Sequence, residues 1–237
     1  MAAPTNVCVV VPTYNERENV IPLIEAIERT KVPNITVLFV DDASPDGTAD
    51  AVKGVSDARP WVKILVRRGE RGFSAAYQEG FRMALSQLQA SVLVSMDADL
   101  QHPTSTIPTL LDAVERGADV AVASRYMEGG KIVGWGFTRR LVSRGANAYA
   151  RWMLELPVRD STSGFRAYTA KAADEIARAK LHAKHFEFQI ATLNLLKGHT
   201  RIVEIPYVFV ARKAGESKFG IRDIPRFFLA VARMRLG

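Results

Sequence analysis

Asp97 and Asp99 flank a single alanine at the end of an apolar run, and Gln101 follows two positions later. In an extended chain alternate side chains point the same way, so both carboxylates share one side. Hard oxygen donors of this kind suit Mg²⁺ or Mn²⁺, ions that keep open positions for phosphate oxygens. An isolated Asp-x-Asp is ordinarily a polar turn. Here Asp41-Asp42 end a second apolar run and Pro12-Thr13-Tyr14-Asn15-Glu16 follow a third. Carboxylates gathered at neighbouring strand ends repel one another unless a cation or polar ligand engages them. Basic candidates come later. Arg125 ends a further apolar run, and Arg212 and Lys218 bracket the small, polar Gly215-Glu216-Ser217, a composition suited to a loop that closes on phosphates. Arg139 and Ser143 are four apart and share one face of an expected helix, where they could hold a phosphate. Arg140 and Arg144 form the adjacent row, within reach of lipid head groups or simply of solvent.

The elements that must position these residues alternate in texture over the first 125 positions. Short β-branched runs stand at Val7–Val11, Ile35–Val40, Val62–Val66, Val92–Met96 and Val120–Ala123. Helical spacing fills Arg17–Lys31, Gly47–Ala58, Gly72–Gln89 and Thr106–Arg116. Strands alternating with helices of that length predict an α/β fold with a central, mostly parallel sheet flanked by helices. The strand runs are continuously apolar, as strands buried on both faces should be. Ligands of such sheets bind beyond the carboxyl ends of the strands, where the acidic residues fall. Residues 126–136 are glycine-rich and read as a mobile loop. Helices are expected at Arg139–Leu154, Ala170–Ala179 and Phe186–Lys197, then a strand-like run Arg201–Val210, the segment Ala214–Gly220 and a last helix near Arg222–Leu236. No repeat or linker interrupts 1–237, so one domain is expected: a nucleotide-binding half over 1–125, an acceptor-binding half over 126–220 and a tail over 221–237.

Bulk properties narrow the classes. Of 237 residues 48% are hydrophobic and 24% charged, the balance of an ordinary globular protein. The single cysteine, Cys8, sits inside a valine run, reads as a buried apolar residue and cannot form an internal disulfide. No secretory signal and no stretch of roughly 20 apolar residues is visible, so the chain is not expected to span a membrane by itself. Residues 1–119 carry 11 Lys/Arg against 16 Asp/Glu, and residues 120–237 carry 21 against 9. Such asymmetry points the second half at an anionic partner: phosphates, a lipid surface or nucleic acid. Basic residues are not interleaved with aromatics in any common nucleic-acid motif, which argues against the last. The tail pairs apolar residues with arginines at 222, 226, 233 and 235. Such a helix lies on a membrane surface or packs on the domain.

Taken together and in order, Pro12-Thr13-Tyr14-Asn15-Glu16, Val40-Asp41-Asp42-Ala43-Ser44-Pro45-Asp46-Gly47-Thr48 and Asp97-Ala98-Asp99 resemble the inverting family 2 glycosyltransferases with the Rossmann-like GT-A fold. Ser143-Arg144-Gly145-Ala146-Asn147, Asp160-Ser161-Thr162-Ser163-Gly164-Phe165-Arg166 and Gly215-Glu216-Ser217-Lys218 are similar to the dolichyl-phosphate mannose synthases, which use GDP-mannose. The resemblance implies that Pro12, Tyr14, Glu16, Val40, Asp42 and Ala98 hold the nucleotide sugar, with Asp97, Arg212 and Lys218. It implies Asp97, Asp99 and Gln101 as ligands of Mg²⁺ or Mn²⁺, and Arg125, Arg212 and Lys218 as phosphate contacts. Arg125, Arg139 and Ser143 would meet the phosphate of a dolichyl or polyprenyl lipid. It implies work at the cytoplasmic face of a membrane, by peripheral attachment or through a small anchoring subunit, because some relatives lacking transmembrane helices use such partners. A related transferase using UDP-glucose or another nucleotide sugar, and a nucleotide-binding subunit without activity, are the competing readings.

Overall fold

The computed structural model describes residues 5–69, 71–181, 187–211 and 223–236. Arg212, Lys218, the segment Ala214–Gly220 and the start of the tail lie outside the described residues.

Five parallel strands follow the expected runs: β1 (Val7–Thr13), β2 (Ile35–Asp41), β3 (Val62–Val66), β4 (Val92–Ser95) and β5 (Val120–Ser124). The helices between them are α1 (Arg17–Glu28), α2 (Thr48–Ser56), α3 (Phe73–Ser86) and α4 (Ile107–Glu115). Cys8, Val10, Leu38 and Val40 face the core under α3, while Val7, Val9, Val11, Val37 and Phe39 face that under α1, α2 and α4. Alternate residues of one strand thus enter opposite cores, which is why the runs carry no polar alternation. The Cys8 thiol is pushed up to about 12 by burial, as expected of an inert apolar residue. The helix over the sheet fits closely at one point: a Cβ on Gly80 of α3 would lie 2.6 Å from Val10 Cγ1 and 2.9 Å from Val40 Cγ2.

The second half departs from the sequence reading in three places. The glycine-rich segment 126–136 contains β6 (Lys131–Val133), paired in parallel with β9 (Val208–Val210), and ends on the buried Trp135. The run Arg201–Val210 is two strands, β8 (Ile202–Pro206) and β9, separated by the buried Tyr207. A strand without a sequence signal, β7 (Arg166–Thr169), lies antiparallel between β4 and β5, giving the order β3-β2-β1-β4-β7-β5-β8. Its first residue, Arg166, is fully buried and donates to the carbonyls of Gln189 and Ser161 and to Thr192 Oγ1 at 2.8–3.0 Å. A charged residue at the strand's start masks the apolar texture by which strands are read.

Helices α5 (Phe137–Leu154), α6 (Ala170–Arg178), α7 (Glu187–Leu196) and α8 (Asp223–Leu236) complete the chain. Helix α8 packs on the domain through Phe227 and Val231, at 5% and 0% exposure, and Arg235 pairs with Glu155 at 2.9 Å. Among the described residues no helix is long and apolar enough to cross a membrane.

Candidate active site

The antiparallel entry of β7 builds the site. Because β7 runs against its neighbours, residues 160–165 leading into it lie at the carboxyl edge of the parallel strands, between the ends of β4 and β5. Ser95 Oγ donates to the Gly164 carbonyl at 2.7 Å, and the Ala123 amide donates to the Phe165 carbonyl at 2.9 Å, stitching that segment to both flanks. The acidic end of β4 and the basic end of β5 thus become two walls flanking one segment.

The acidic wall begins with Asp97, whose side chain is 41% exposed. Asp99 Oδ1 accepts the Gln101 amide at 3.1 Å, and Leu100 between them takes a left-handed φ of 63°. This tight turn brings Asp97, Asp99 and Gln101 to one edge. Its far end is pinned by His102, whose Nδ1 accepts the Asp97 amide at 3.1 Å while its ring stacks on Phe165 at 4.9 Å. Burial, reinforced by the positive charge of Arg125, pushes His102 down to about 3, so it stays neutral with Nε2 carrying the proton. Sequence reasoning missed His102; a histidine directly after the acidic turn was the available signal. Beneath Asp97, the buried Tyr77 hydroxyl is pushed up by burial and by the Asp97 charge. Among the described residues no three His, Cys, Asp or Glu side chains cluster as a closed metal cage. Two carboxylates and an amide oxygen on a half-exposed turn fit instead an ion that keeps several positions for water and phosphate oxygens.

The nucleotide candidates stand beyond β1 and β2. Asp41 is fully buried and serves the scaffold: it accepts Thr13 Oγ1 at 3.1 Å and the amide and hydroxyl of Ser44 at 2.9 and 2.5 Å. Asp42 pairs with Arg67 and accepts the Gly72 amide at 3.1 Å, which fixes its carboxylate at the start of α3. Glu16 stands just before α1, and its amide donates to Thr48 Oγ1 at 3.0 Å, tying the β1 and β2 loops together. Tyr14 is 40% exposed, with Arg71 4.6 Å from its ring centroid and bonded to its hydroxyl at 2.7 Å. Pro12 is half-buried, and Val40 and Ala98 are buried, so the last two can offer a ligand little beyond backbone and shape.

On the basic wall Arg125 is not a loose surface cation. Its side chain is 9% exposed; Nε and NH2 meet the carboxylate of the fully buried Asp160 at 2.7 Å each, NH2 also meets Thr162 Oγ1 at 2.8 Å, and its amide donates to Asp160 at 2.9 Å. Burial raises the Asp160 pKa, but the Arg125 charge and hydrogen bonds outweigh it and hold the carboxyl below its ordinary range. Among the described residues Arg125 NH1 has no hydrogen-bond acceptor, whereas Nε and NH2 do. Trp135 lies between two cations, with Arg125 at 5.5 Å and the exposed Arg139 at 4.1 Å from its ring. Partial burial and the neighbouring Arg125 both pull the Arg139 pKa down, which marks a place short of negative charge. Ser143 Oγ accepts from the Tyr126 hydroxyl at 2.6 Å. Arg125, Arg139 and Ser143 are therefore gathered around Tyr126 and Trp135. Arg212 and Lys218 lie outside the described residues.

Comparison with known proteins gives this geometry its setting. A model of glycosyl transferase family 2 matches residues 8–177. The polyprenol monophosphomannose synthase of Mycolicibacterium smegmatis is 38% identical over 226 residues, covering 94% of this chain and 84% of that protein. The undecaprenyl-phosphate mannosyltransferase of Micrococcus luteus is 42% identical over 213 residues, covering 90% and 86%. Among solved structures, glucosyl-3-phosphoglycerate synthase from Mycobacterium tuberculosis in complex with Mn²⁺, UDP and glucosyl-3-phosphoglycerate superposes with a TM-score of 0.67 at 17% identity, covering 98% of this chain and 79% of that one. That likeness is one of fold, the GT-A arrangement expected from the sequence.

Proposed function

The chain belongs to glycosyl transferase family 2, and from that premise we propose that it transfers mannose from GDP-mannose to a dolichyl or other polyprenyl phosphate with inversion. The observation that carries this reading is the pairing of two walls. An acidic turn at the end of β4 and a group of cations and hydroxyls around Trp135 and Tyr126, after β5, flank residues 160–165 at the carboxyl edge of the sheet. A donor diphosphate needs its charge neutralised through the first wall, and an anionic acceptor needs the second. The names of the Mycolicibacterium and Micrococcus relatives support a lipid-phosphate acceptor and mannose as the sugar.

The nucleotide is assigned to the ends of β1 and β2: Tyr14 for stacking, Asp42 and Glu16 as hydrogen-bond acceptors, and Pro12, Val40 and Ala98 for shape. Asp97, Asp99 and Gln101 would hold Mg²⁺ or Mn²⁺, which supplies positive charge for the departing diphosphate. Arg212 and Lys218 are assigned to that same anion. Arg125 through NH1, Arg139 and Ser143 are assigned to the acceptor phosphate.

The chemistry asks little proton handling of the protein. A phosphate monoester has its second pKa around 6 and is largely ionised near neutrality, so no side chain must take a proton from the nucleophile. One phosphate oxygen forms the new bond to the anomeric carbon from the face opposite the diphosphate. The bond between that carbon and the diphosphate oxygen breaks, and its electron pair leaves with GDP. The arginine wall lowers the barrier by fixing the attacking oxygen and relieving repulsion between two anions. His102, with Nδ1 committed to the Asp97 amide, positions the acidic turn instead of acting as a base.

A donor screen tests the proposal: purified protein, polyprenyl phosphate, Mg²⁺ or Mn²⁺, and radiolabelled nucleotide sugars, with label followed into the organic phase. Label from GDP-mannose is expected. Label only from UDP-glucose would reassign the donor, and no lipid product from any donor would overturn the function.

A further inference from the structure

Beside Tyr126 the surface holds a second cationic pocket, outside the residues assigned to the transfer reaction. It has a volume of about 250 Å³ and is lined by Tyr126, Arg144, Asn147, Ala148, Arg151 and Arg159. Arg144 and Arg151 are two turns apart on α5, and Arg159 comes from the turn after it. None of the three arginines forms an ion pair or side-chain hydrogen bond with a described residue, unlike Arg125 nearby. Three like charges around one cavity repel each other and favour an anion there.

The pocket's walls are fixed. Asn147 Oδ1 accepts the Ser161 and Thr162 amides at 2.8 and 3.3 Å, and its Nδ2 donates to the Ser143 carbonyl at 2.9 Å. The Tyr126 hydroxyl is held by Ser143 at 2.6 Å. Arg159 sits between Val158 and Asp160, which are 1% and 0% exposed, so its backbone is anchored on both sides. Of the nearby carboxylates, Asp160 is spent on Arg125, and Glu128 and Glu204 line an adjoining cavity together with Arg151 and Arg159. Glu204 accepts the Asp160 amide at 3.0 Å, and neither acid pairs with the arginines.

A second observation identifies the class of anion. Phe137, Leu141 and Trp152 are 79%, 59% and 74% exposed, and their spacing along α5 places them on one outward ridge. Arg140, Arg144 and Arg151 follow one edge of that ridge. Large apolar side chains in line with cations fit the boundary between lipid head groups and acyl chains.

We propose that Arg144, Arg151 and Arg159, with Tyr126, bind the phosphate of an anionic membrane phospholipid while Phe137, Leu141 and Trp152 enter its acyl region. This rests on the reading that the enzyme acts on a lipid at a membrane surface, and it names the contact that holds it there. The site is separate from the acceptor group: Arg139 and Ser143 occupy the neighbouring row of α5, with Tyr126 as the shared wall. The membrane contact thereby involves α5; on α8 Phe227 and Val231 turn inward, while Phe228 and Leu229 stay exposed at 38% and 59%.

The test is co-sedimentation with phosphatidylcholine vesicles with and without phosphatidylglycerol, comparing the wild type, Arg151→Gln/Arg159→Gln and a charge-matched control, Arg29→Gln/Lys53→Gln. The wild type and the control are expected to bind the phosphatidylglycerol vesicles. The pocket variant should bind them about thirtyfold more weakly, the equivalent of two basic residues at an anionic surface. Its turnover of a water-soluble short-chain polyprenyl phosphate should be unchanged. Inorganic phosphate at matched ionic strength should leave vesicle binding intact. Equal binding by the wild type and the pocket variant, or equal loss in the control, overturns the proposal. Displacement by inorganic phosphate makes the pocket a free-phosphate site and overturns the lipid assignment. If the wild type binds no vesicles yet turns over the soluble acceptor, the membrane reading itself fails.

Discussion

The Arg125–Asp160 pair is where the basic wall of the site meets the stability of the fold, and Asp160→Asn separates its terms. Asp160 is fully buried, and its two oxygens receive three nitrogens of Arg125, Nε, NH2 and the backbone amide, at 2.7–2.9 Å. An asparagine of the same shape turns its NH₂ group toward one of those donors and leaves a buried guanidinium without a counter-charge. Removing one partner of a buried pair costs about 3–5 kcal/mol, a large share of the roughly 5–15 kcal/mol that holds a domain together. With a urea slope of about 2 kcal/mol per molar, the midpoint should fall by roughly 2 M. The sign with pH follows from the depressed Asp160 pKa. The pair's contribution is complete above the unfolded carboxyl value of about 3.9 and is lost as pH falls through the lower folded value. Wild-type and variant unfolding curves should therefore converge in acid. Adding Arg125→Met to the variant removes the stranded charge and should recover part of the loss. A cost under about 1 kcal/mol at pH 7, or a gap that persists in strong acid, would refute the assignment of this pair as a buried, charge-compensated support.

Asp99→Ala should leave thermal unfolding nearly unchanged, because the residue lies on a partly exposed turn, and reduce lipid-mannose formation by about a thousandfold or more if it holds the metal. Unchanged turnover at saturating Mg²⁺ or Mn²⁺ would remove it from the site. Arg139→Ala should raise the KM for polyprenyl phosphate about tenfold or more while leaving that for GDP-mannose unaltered, since one charge-assisted contact is worth about 1.5–3 kcal/mol; steady-state kinetics with each substrate varied separates the two. Gly80→Ala should lower stability by about 1–3 kcal/mol, read by urea titration, because its methyl would lie 2.6 Å from Val10 Cγ1 in a packed interior.

The first five strands were legible because each is buried on both faces and reads as a continuous apolar run; β3 falls on the expected bounds and the others end within two residues of them. The strand that organises the site was not. β7 is four residues long and starts with Arg166, whose hydrogen-bond acceptors among the described residues are carbonyl and hydroxyl groups of residues 161, 189 and 192. No local pattern records such partners. The same holds for Arg125: its place at a strand end was readable, but Asp160 is 35 residues away and meets it only because β7 runs backwards. Residues 126–136 looked mobile because glycine is frequent, yet β6 finds its partner in β9, 77 positions later by the Lys131–Val208 register. Acidic ligands in a strand-end turn are local and can be read; compensation of buried charge is not.

That distinction changes what the basic second half means. Counted along the chain, residues 120–237 hold 21 Lys/Arg against 9 Asp/Glu, but the count says nothing about which charges are available. Arg125 and Arg166 are buried and largely spent on internal acceptors. Arg139, Arg140, Arg144, Arg151 and Arg159 are exposed and come from α5 and the turn just after it. Four of these exposed arginines thus line one helix, which also exposes Phe137, Leu141 and Trp152. Solubility alone would favour cations spread over the surface without apolar neighbours. On the proposed reading, a helix that presented its row with Arg139 and Ser143 to an acceptor phosphate, and the next faces to lipid phosphate and acyl chain, would deliver a membrane-borne substrate in one orientation. That reading would require α5 to hold both proposed phosphate rows in fixed register, and Asn147 ties the helix to residues 161 and 162.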